Sequence, residues 1–336
     1  MNDRIGIVVI GRNEGERLVR CLRSVTGHGP VVYVDSGSTD ASVAAALKLG
    51  ANVVELDMSK PFTAARARNA GFARLCEILP DIQFVQFVDG DCEVHPDWIR
   101  VGITTLAERD RLAIVCGRLR EQFPTQSVFN RLADLEWDAP LGDVQSCGGI
   151  FLARAHVFST IGGFHEDVIA GEEPELCSRL LQNGWHIHRL SAPMALHDIA
   201  MTRFSQWWRR QVRAGYGGLY TFERCVGHSF RPFAAQIRSA RIWVFGWPLV
   251  VVTAVLVGML LDGFRGALLC GAIALSILPA QVLRIAWRQS RRCKSFKDAL
   301  AYAVFVTVAK LPQIIGQARW MSERRRGVAA TIIEHK

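Results

Sequence analysis

The sequence lacks the cysteine patterns of zinc ribbons and disulfide frameworks. Its nine cysteines include no Cys-x-x-Cys pair, and an odd number cannot all be bridged. Such a pattern fits a reducing cytosol. The first ten residues also lack a basic-then-apolar signal region and enter an apolar segment directly. We therefore expect the first domain to remain in the cytoplasm.

A recognisable nucleic-acid-binding module is missing as well, although the formal net charge is +9. Lysine and arginine cluster after residue 200, around apolar stretches. That placement favours anionic membrane lipids as partners and argues against nucleic acid. The 336 residues suffice for one domain of about 200–250 residues and an appendage.

The first hundred residues alternate apolar runs with amphipathic stretches. This alternation predicts a mostly parallel α/β sheet flanked by helices. Ligands of such sheets bind at the carboxyl ends of the strands, where Asn13, Asp35 and Asp89 fall. The predicted strands are 5–10, 31–34, 51–56 and 84–88, and the predicted helices are 16–25, 42–49 and 63–79.

Charged residues are absent from 242–261, a run long enough to cross a hydrocarbon core of about 30 Å. We predict domains over 1–225 and 226–336, the second with a membrane hairpin of helices at about 242–261 and 266–287. Basic residues flank the hairpin on its inner side, which places the 262–265 tip outside. Lys310 and Pro312 interrupt a third run, 299–318, and favour a re-entrant or interfacial helix there.

Two carboxylates flank a glycine in Asp89-Gly90-Asp91, after the fourth strand. Such a pair can hold Mg²⁺ or Mn²⁺ and offset charge on a departing diphosphate, or it can simply form a turn. His197 can complete the coordination of a metal or serve a structural role. The three residues Asp89, Asp91 and His197 are the candidate metal ligands.

Three acidic residues stand at a helix start in Gly171-Glu172-Glu173-Pro174-Glu175. Interaction with the helix dipole explains one of them easily and three less well. The functional interpretation is a general base that deprotonates an acceptor hydroxyl. Glu173, just before a helix predicted over 174–183, is the preferred candidate and Glu172 the alternative.

Taken together, six motifs resemble those of family 2 glycosyltransferases, which have the GT-A fold, over about residues 3–225. The motifs are Val8–Glu14, Val34–Asp40, Ala67–Gly71, Val88–Asp91, Gly148-Gly149 with Gly162-Gly163-Phe164, and Gly171-Glu172-Glu173.

The resemblance implies an inverting, metal-dependent hexosyltransferase with a nucleotide-diphosphate-sugar donor, often UDP-linked. It further implies that Asp35 and Ser36 bind the nucleoside, with Asn13 and Glu14 bordering the base. Arg68 would lie near the nucleotide, Asp89 near the ribose or metal, and Asp91 and His197 on the metal. We expect a lipid-linked or glycan acceptor in bacterial cell-surface glycan or exopolysaccharide synthesis, at the cytoplasmic face of the inner (plasma) membrane.

Two departures from the family pattern bear on this hypothesis. Glu172-Glu173 stands where the family usually has Glu-Asp, which lengthens the base by one methylene. Gln206-Trp207-Trp208-Arg209-Arg210 ends in arginine where processive members have the tryptophan of QxxRW. A processive polysaccharide synthase, a nucleotidyltransferase and a catalytically degenerate membrane scaffold remain the alternatives.

Overall fold

A computed structural model describes residues 4–293 and 295–327. These residues form two compact units. The sheet unit comprises 4–202 and Tyr220–Pro232, and the helical unit comprises Arg203–Leu219 and 233–327. The chain therefore passes between the units three times, after residues 202, 219 and 232.

The sheet unit is built on a nine-stranded mixed sheet in the order β3-β2-β1-β4-β8-β6-β9-β5, with β7 beside β9. Its strands are β1 Ile5–Gly11, β2 Val31–Asp35, β3 Asn52–Glu55, β4 Phe84–Asp89, β5 Cys92–Val94, β6 Leu112–Glu121, β7 Gly142–Asp143, β8 Phe151–Arg154 and β9 His186–His197.

Strands β1 to β4 are parallel, as the alternating pattern predicted. The other half of the sheet departs from that pattern, because β8 runs antiparallel to both β4 and β6. The strand order reverses at β1, which has β2 on one side and β4 on the other. Ligands of open α/β sheets bind at such a reversal, beyond the carboxyl ends of the strands.

Seven helices of the described chain lie in the sheet unit: α1 Glu16–Val25, α2 Ser42–Lys48, α3 Ala64–Ile78, α4 Trp98–Glu108, α5 Val128–Trp137, α6 Ala155–Thr160 and α7 Glu172–Gln182. Thr63 caps α3 and Ser127 caps α5, each accepting a hydrogen bond from a first-turn amide. Helix α7 begins two residues before its predicted start, so Pro174 lies in the first turn, where a missing N–H costs nothing.

The helical unit contains the chain's most apolar segments. Its helices are α8 Phe204–Arg224, which ends in the sheet unit, α9 Ala234–Arg241, a π-helical stretch Ile242–Gly246, α10 Trp247–Gln289, α11 Phe296–Val308 and α12 Lys310–Arg325. Within the described residues, Ala234–Gln289 and Phe296–Arg325 are long and apolar enough to cross a membrane. Only 6% of the most apolar window of the first segment is buried, unlike the core helix of a soluble protein.

Helix α10 is a hairpin, as the sequence predicted. Asp262 and Gly263 leave helical geometry and reverse the chain. A Cβ added to Gly258 would lie 2.2 Å from the carbonyl oxygen of Gly266, so the two arms touch through their backbones. Further along the arms, Trp247 Nε1 donates to the carbonyl of Ala274 at 3.1 Å.

The third apolar run, for which a re-entrant or interfacial helix is predicted at about 299–318, divides at Ala309 into α11 and α12. The backbone of Ala309 stays helical, without a reversal. Helix α12 packs on α8 through polar atoms, with the buried Gln313 donating to Gln211 at 3.0 Å.

Candidate active site

Two loops at the reversal of strand order are joined by hydrogen bonds. Asn13 follows β1, and its side-chain oxygen Oδ1 accepts a hydrogen bond from the backbone amide of Thr39 at 2.7 Å. The backbone amide of Asn13 donates to Ser38 Oγ at 2.9 Å. Glu14 is buried and pairs with Arg17 at 2.8 Å. The loops that follow β1 and β2 are therefore held together by these hydrogen bonds.

Asp35 shapes the second of these loops. Its carboxylate accepts from Tyr33 Oη at 2.9 Å and from the amides of Gly37 and Ser38 at 2.9 and 2.8 Å. Ser36 is buried, and its amide donates to the carbonyl of Gly11. Asp35 therefore holds the turn that follows β2.

Arg68 links two of the predicted acidic residues. Its guanidinium donates to Asp89 Oδ1 at 2.8 Å and to Glu172 Oε1 at 2.7 Å. Burial alone lowers the pKa of Arg68, but the two carboxylates outweigh it and raise that pKa. Arg68 therefore stays charged and joins helix α3, strand β4 and helix α7 at one point.

Gly149 permits this close arrangement. A Cβ there would lie 2.9 Å from Asp89 Oδ2 and 3.1 Å from an Arg68 guanidinium nitrogen. The neighbouring Asn69 holds the Gly162-Gly163-Phe164 loop through both the amide and the carbonyl of Phe164, at 3.0 and 2.8 Å. The two glycine motifs therefore lie beside Arg68 and Asn69.

Asp91 and His197 come together as predicted. Asp91 Oδ1 is 3.2 Å from His197 Nε2, and both side chains are largely buried. Pairing of β5 with β9 sets this approach, because Cys92 lies opposite His197. Asp89, whose side chain is 30% exposed, ends β4 two residues earlier. Asp91, Cys92 and His197 each offer one ligand atom within 4.8 Å of the others. A carboxylate suits Mn²⁺ or Mg²⁺ and an imidazole is a common metal ligand, so Asp91 and His197 are placed to share a cation.

The adjacent Glu172 and Glu173 have different surroundings. Glu172 pairs with Arg68. Glu173 is buried and accepts from neutral donors: Ser146 Oγ at 3.0 Å, the amide of Cys147, and Cys177 Sγ at 3.0 Å. Adjacent residues on a helix point about 100° apart, which separates the two carboxylates.

Sequence reasoning missed several residues of this site. Trp137 ends α5 and stacks on the His197 ring, with centroids 4.5 Å apart and planes at 8°. Ser146, Cys147 and Cys177 surround Glu173. Only the i, i+4 spacing of Glu173 and Cys177 on one helix pointed to any of these contacts.

Known proteins resemble this chain in sequence. Residues 6–143 match the sequence profile described as "Glycosyl transferase family 2". The chain is 21% identical over 228 residues to Glycosyltransferase AglE of Haloferax volcanii, covering 63% of this chain and 72% of that protein. It is 25% identical over 227 residues to the Pre-mycofactocin glycosyltransferase of Mycobacterium tuberculosis, covering 64% of this chain and 46% of that protein. The chain thus spans under half of the second relative.

A solved structure shares the fold. The mannosyltransferase PcManGT from Pyrobaculum calidifontis, in complex with GDP-Man and Mn²⁺, aligns with a TM-score of 0.56 at 17% identity, over 92% of this chain and 87% of that one. At this identity the likeness shows the GT-A fold alone. The profile match over residues 6–143 and the shared fold make the sheet unit similar to family 2 glycosyltransferases.

Proposed function

We propose that this glycosyltransferase moves a sugar, by inverting single displacement, from a nucleotide-diphosphate donor to a lipid-linked or glycan acceptor. The observation that carries the proposal is the Arg68 cluster, which joins the Asp89 turn to the Glu172-Glu173 helix start. This cluster therefore places the turn proposed to bind the donor, at Asp89, next to the helix start proposed to act on the acceptor, at Glu172 and Glu173. Such proximity is what direct transfer between two substrates requires.

The joined loops after β1 and β2 support binding of the donor's nucleoside. Asn13, Glu14, Asp35 and Ser36 would line that site, and Arg68 would lie near the nucleotide. The two named relatives are glycosyltransferases, and the PcManGT structure holds GDP-Man. We favour a UDP-sugar on the family resemblance, with GDP-sugars as the first competitor.

Asp91, His197 and Asp89 would hold a divalent cation. A bound Mn²⁺ or Mg²⁺ would offset the negative charge that grows on the leaving diphosphate. Trp137, stacked on His197, holds the imidazole plane fixed, and the β5–β9 pairing holds Asp91 beside it. The ligand atoms are therefore positioned before donor binding.

Glu173 is the proposed base, because its hydrogen-bond donors are neutral whereas Glu172 is committed to the Arg68 guanidinium. Glu173 Oε2 accepts from the hydroxyl of Ser146 at 3.0 Å. An acceptor hydroxyl that replaces this serine contact would place its proton on Glu173. The hydroxyl oxygen would then attack the anomeric carbon opposite the departing diphosphate.

We further propose that the α10 hairpin spans the inner membrane and keeps the sheet unit at its cytoplasmic face. The exposed apolar arms of α10 and the basic residues after them support this orientation. A membrane-held enzyme suits a lipid-linked acceptor, as in cell-surface glycan or exopolysaccharide synthesis. A processive synthase remains the second candidate.

A donor screen tests the proposed function. Purified full-length protein in detergent would be scanned by thermal shift with UDP-, GDP- and dTDP-sugars, each with and without Mn²⁺. A true donor at 100 times its Kd adds about 2.7 kcal/mol of stability. We expect one nucleotide class to shift the transition only with metal, and that donor to support transfer. Failure of every donor with metal would favour the degenerate scaffold.

The size of the product distinguishes a single-addition glycosyltransferase from a processive synthase. A single-addition enzyme yields one product, longer by one sugar, whereas a processive synthase yields a ladder or a polymer. We expect one sugar per acceptor, in line with the arginine that ends the 206–210 motif.

A further inference from the structure

Two thiols and a carboxylate converge behind the proposed base. Cys147 Sγ and Cys177 Sγ are 3.6 Å apart, and Cys177 Sγ is 3.0 Å from Glu173 Oε1. One ligand atom from each residue lies within 4.8 Å of the others, and all three residues are buried. These atoms are distinct from the Asp91 and His197 atoms of the proposed donor-metal site.

Their spacing is close to that of a tetrahedral zinc site. Zinc binds thiolates at about 2.3 Å and carboxylate oxygens at about 2.0 Å, which sets sulfur pairs about 3.8 Å apart and sulfur–oxygen pairs about 3.5 Å apart. The observed 3.6 and 3.0 Å need shifts of about half an ångström or less to reach those values.

The backbone keeps the three residues together. Glu173 and Cys177 are four residues apart on α7, so their side chains share one helix face. Cys147 lies in the loop between β7 and β8, and its amide donates to Glu173 Oε1. The spacing of the three residues is therefore set by helix α7 and by a loop that is hydrogen-bonded to it.

We propose that Cys147, Cys177 and Glu173 bind Zn²⁺ or a similar thiophilic divalent cation, and that this binding inhibits glycosyl transfer. Inhibition follows because the cation takes the carboxylate oxygens that would receive the acceptor's proton, and this part rests on the proposed function. Each thiol loses its proton on binding, so one Zn²⁺ displaces two protons. Ser146 Oγ or a water supplies the fourth ligand.

Ligand chemistry favours different cations at the two sites, although Cys92 Sγ also lies within 4.8 Å of ligand atoms of Asp91 and His197. Thiolates favour zinc, whereas carboxylate-rich sites suit Mn²⁺ and Mg²⁺. Loss of metal binding in Cys147→Ala therefore assigns the cation to Cys147 and Cys177. Zn²⁺ can also displace the cation at Asp91 and His197, and excess Mn²⁺ reverses that form of inhibition. Inhibition through Cys147 and Cys177 persists at saturating Mn²⁺.

Cobalt spectroscopy of the full-length protein tests binding without any assay of activity. Co²⁺ bound by two thiolates gives an intense sulfur-to-cobalt charge-transfer band, which Zn²⁺ abolishes as it displaces Co²⁺. The test variant is Cys147→Ala, which keeps the residue 147 amide that holds Glu173. The matched control is Cys225→Ala, which removes another buried thiol outside the cluster.

The wild type and Cys225→Ala are expected to show the band, and Cys147→Ala to lose at least half of it and bind Zn²⁺ at least about tenfold more weakly. In transfer assays at saturating Mn²⁺, Zn²⁺ is expected to inhibit the wild type and Cys225→Ala but not Cys147→Ala. A wild-type spectrum without the band, or inhibition that excess Mn²⁺ relieves, overturns the proposal. A chain inactive with every donor would refute the proposed function, while the cobalt band would still decide the metal site.

Discussion

At the scale of single residues, the two carboxylates of the Asp89-Gly90-Asp91 turn have different partners. Asp89 pairs with Arg68, and Asp91 approaches His197. The first contact ties the turn to helix α3, and the second brings a carboxylate and an imidazole together. The two aspartates are therefore not interchangeable, and each is expected to respond differently to substitution.

Asp91→Asn keeps the shape of the side chain and removes the charge that would hold the cation. We expect transfer to fall by at least about 100-fold, corresponding to about 3 kcal/mol, while the thermal transition stays near that of the wild type. Mn²⁺ binding followed by electron paramagnetic resonance is expected to weaken in parallel. The control is Asp97→Asn, an exposed carboxylate at the N-cap of α4 that pairs with Arg100. Wild-type dependence on Mn²⁺ in Asp91→Asn would contradict the assignment.

The adjacent glutamates give a second test. Glu173→Gln is expected to slow transfer by about 10² to 10⁴-fold with donor affinity unchanged, because it removes the proton acceptor only. Glu172→Gln instead leaves the buried Arg68 with one partner fewer, so we expect lower stability and weaker donor binding. The measurements are kcat, donor Kd and the thermal transition of each variant. An active Glu173→Gln beside a Glu172→Gln that binds donor normally but does not turn over would move the base to Glu172.

At the scale of elements, the α10 hairpin depends on backbone contact between its arms. Gly258 and Gly266 meet closely enough that a Cβ on either would overlap the other's carbonyl. In an unobstructed helix, alanine in place of glycine stabilises by up to about 1 kcal/mol. A steric clash would make the same substitution destabilising, so the change in stability shows whether the two arms are in contact.

Gly258→Ala is therefore expected to destabilise the protein by about 1–3 kcal/mol, seen as a lower thermal transition in detergent. Gly246→Ala is the matched control, because its added Cβ would meet only Ile242 Cγ2 at 3.9 Å, an ordinary contact. We expect Gly246→Ala to be neutral or stabilising. Equal behaviour of the two variants would mean that the arms are not in contact.

At the scale of the whole molecule, the proposal assigns each part of the chain to one side of the membrane. The proposed orientation puts the 262–265 tip outside and the basic flanks inside. Cysteine labelling of intact cells and of inverted vesicles tests it, with single cysteines placed by Phe264→Cys, Arg291→Cys and Arg326→Cys. Cys76, Cys270 and Cys293 must be replaced first, whereas the other six native cysteines are buried.

We expect outside-only labelling at 264 and inside-only labelling at 291 and 326. Labelling of 326 from outside would show that α11 and α12 cross the membrane as a third span. A lack of outside labelling at 264 would mean that the hairpin lies in or on the membrane without crossing it. Reagents that do and do not permeate the membrane control for access.

Much of the fold was readable from sequence because local forces decide it. The apolar runs that became β1 to β4 and the amphipathic runs that became α1 to α3 were predicted with ends within one residue of those observed. Asp262 and Gly263 marked the hairpin tip, since a polar break between uncharged runs leaves few other places to turn. The motif residues fall at strand ends, so their gathering at one edge followed from the parallel pattern.

Other features depended on distant partners, and only the tertiary structure decided them. Strand β8 reads as an apolar run in either direction, and its antiparallel pairing follows from the chain's path between β4 and β6. Helix α12 buries glutamines against α8, a choice that apolar composition alone concealed. The surroundings that separate Glu172 from Glu173 come from Arg68 on one side and the Ser146–Cys147 loop on the other. Sequence determines what each residue can do, and packing determines which neighbour it does it with.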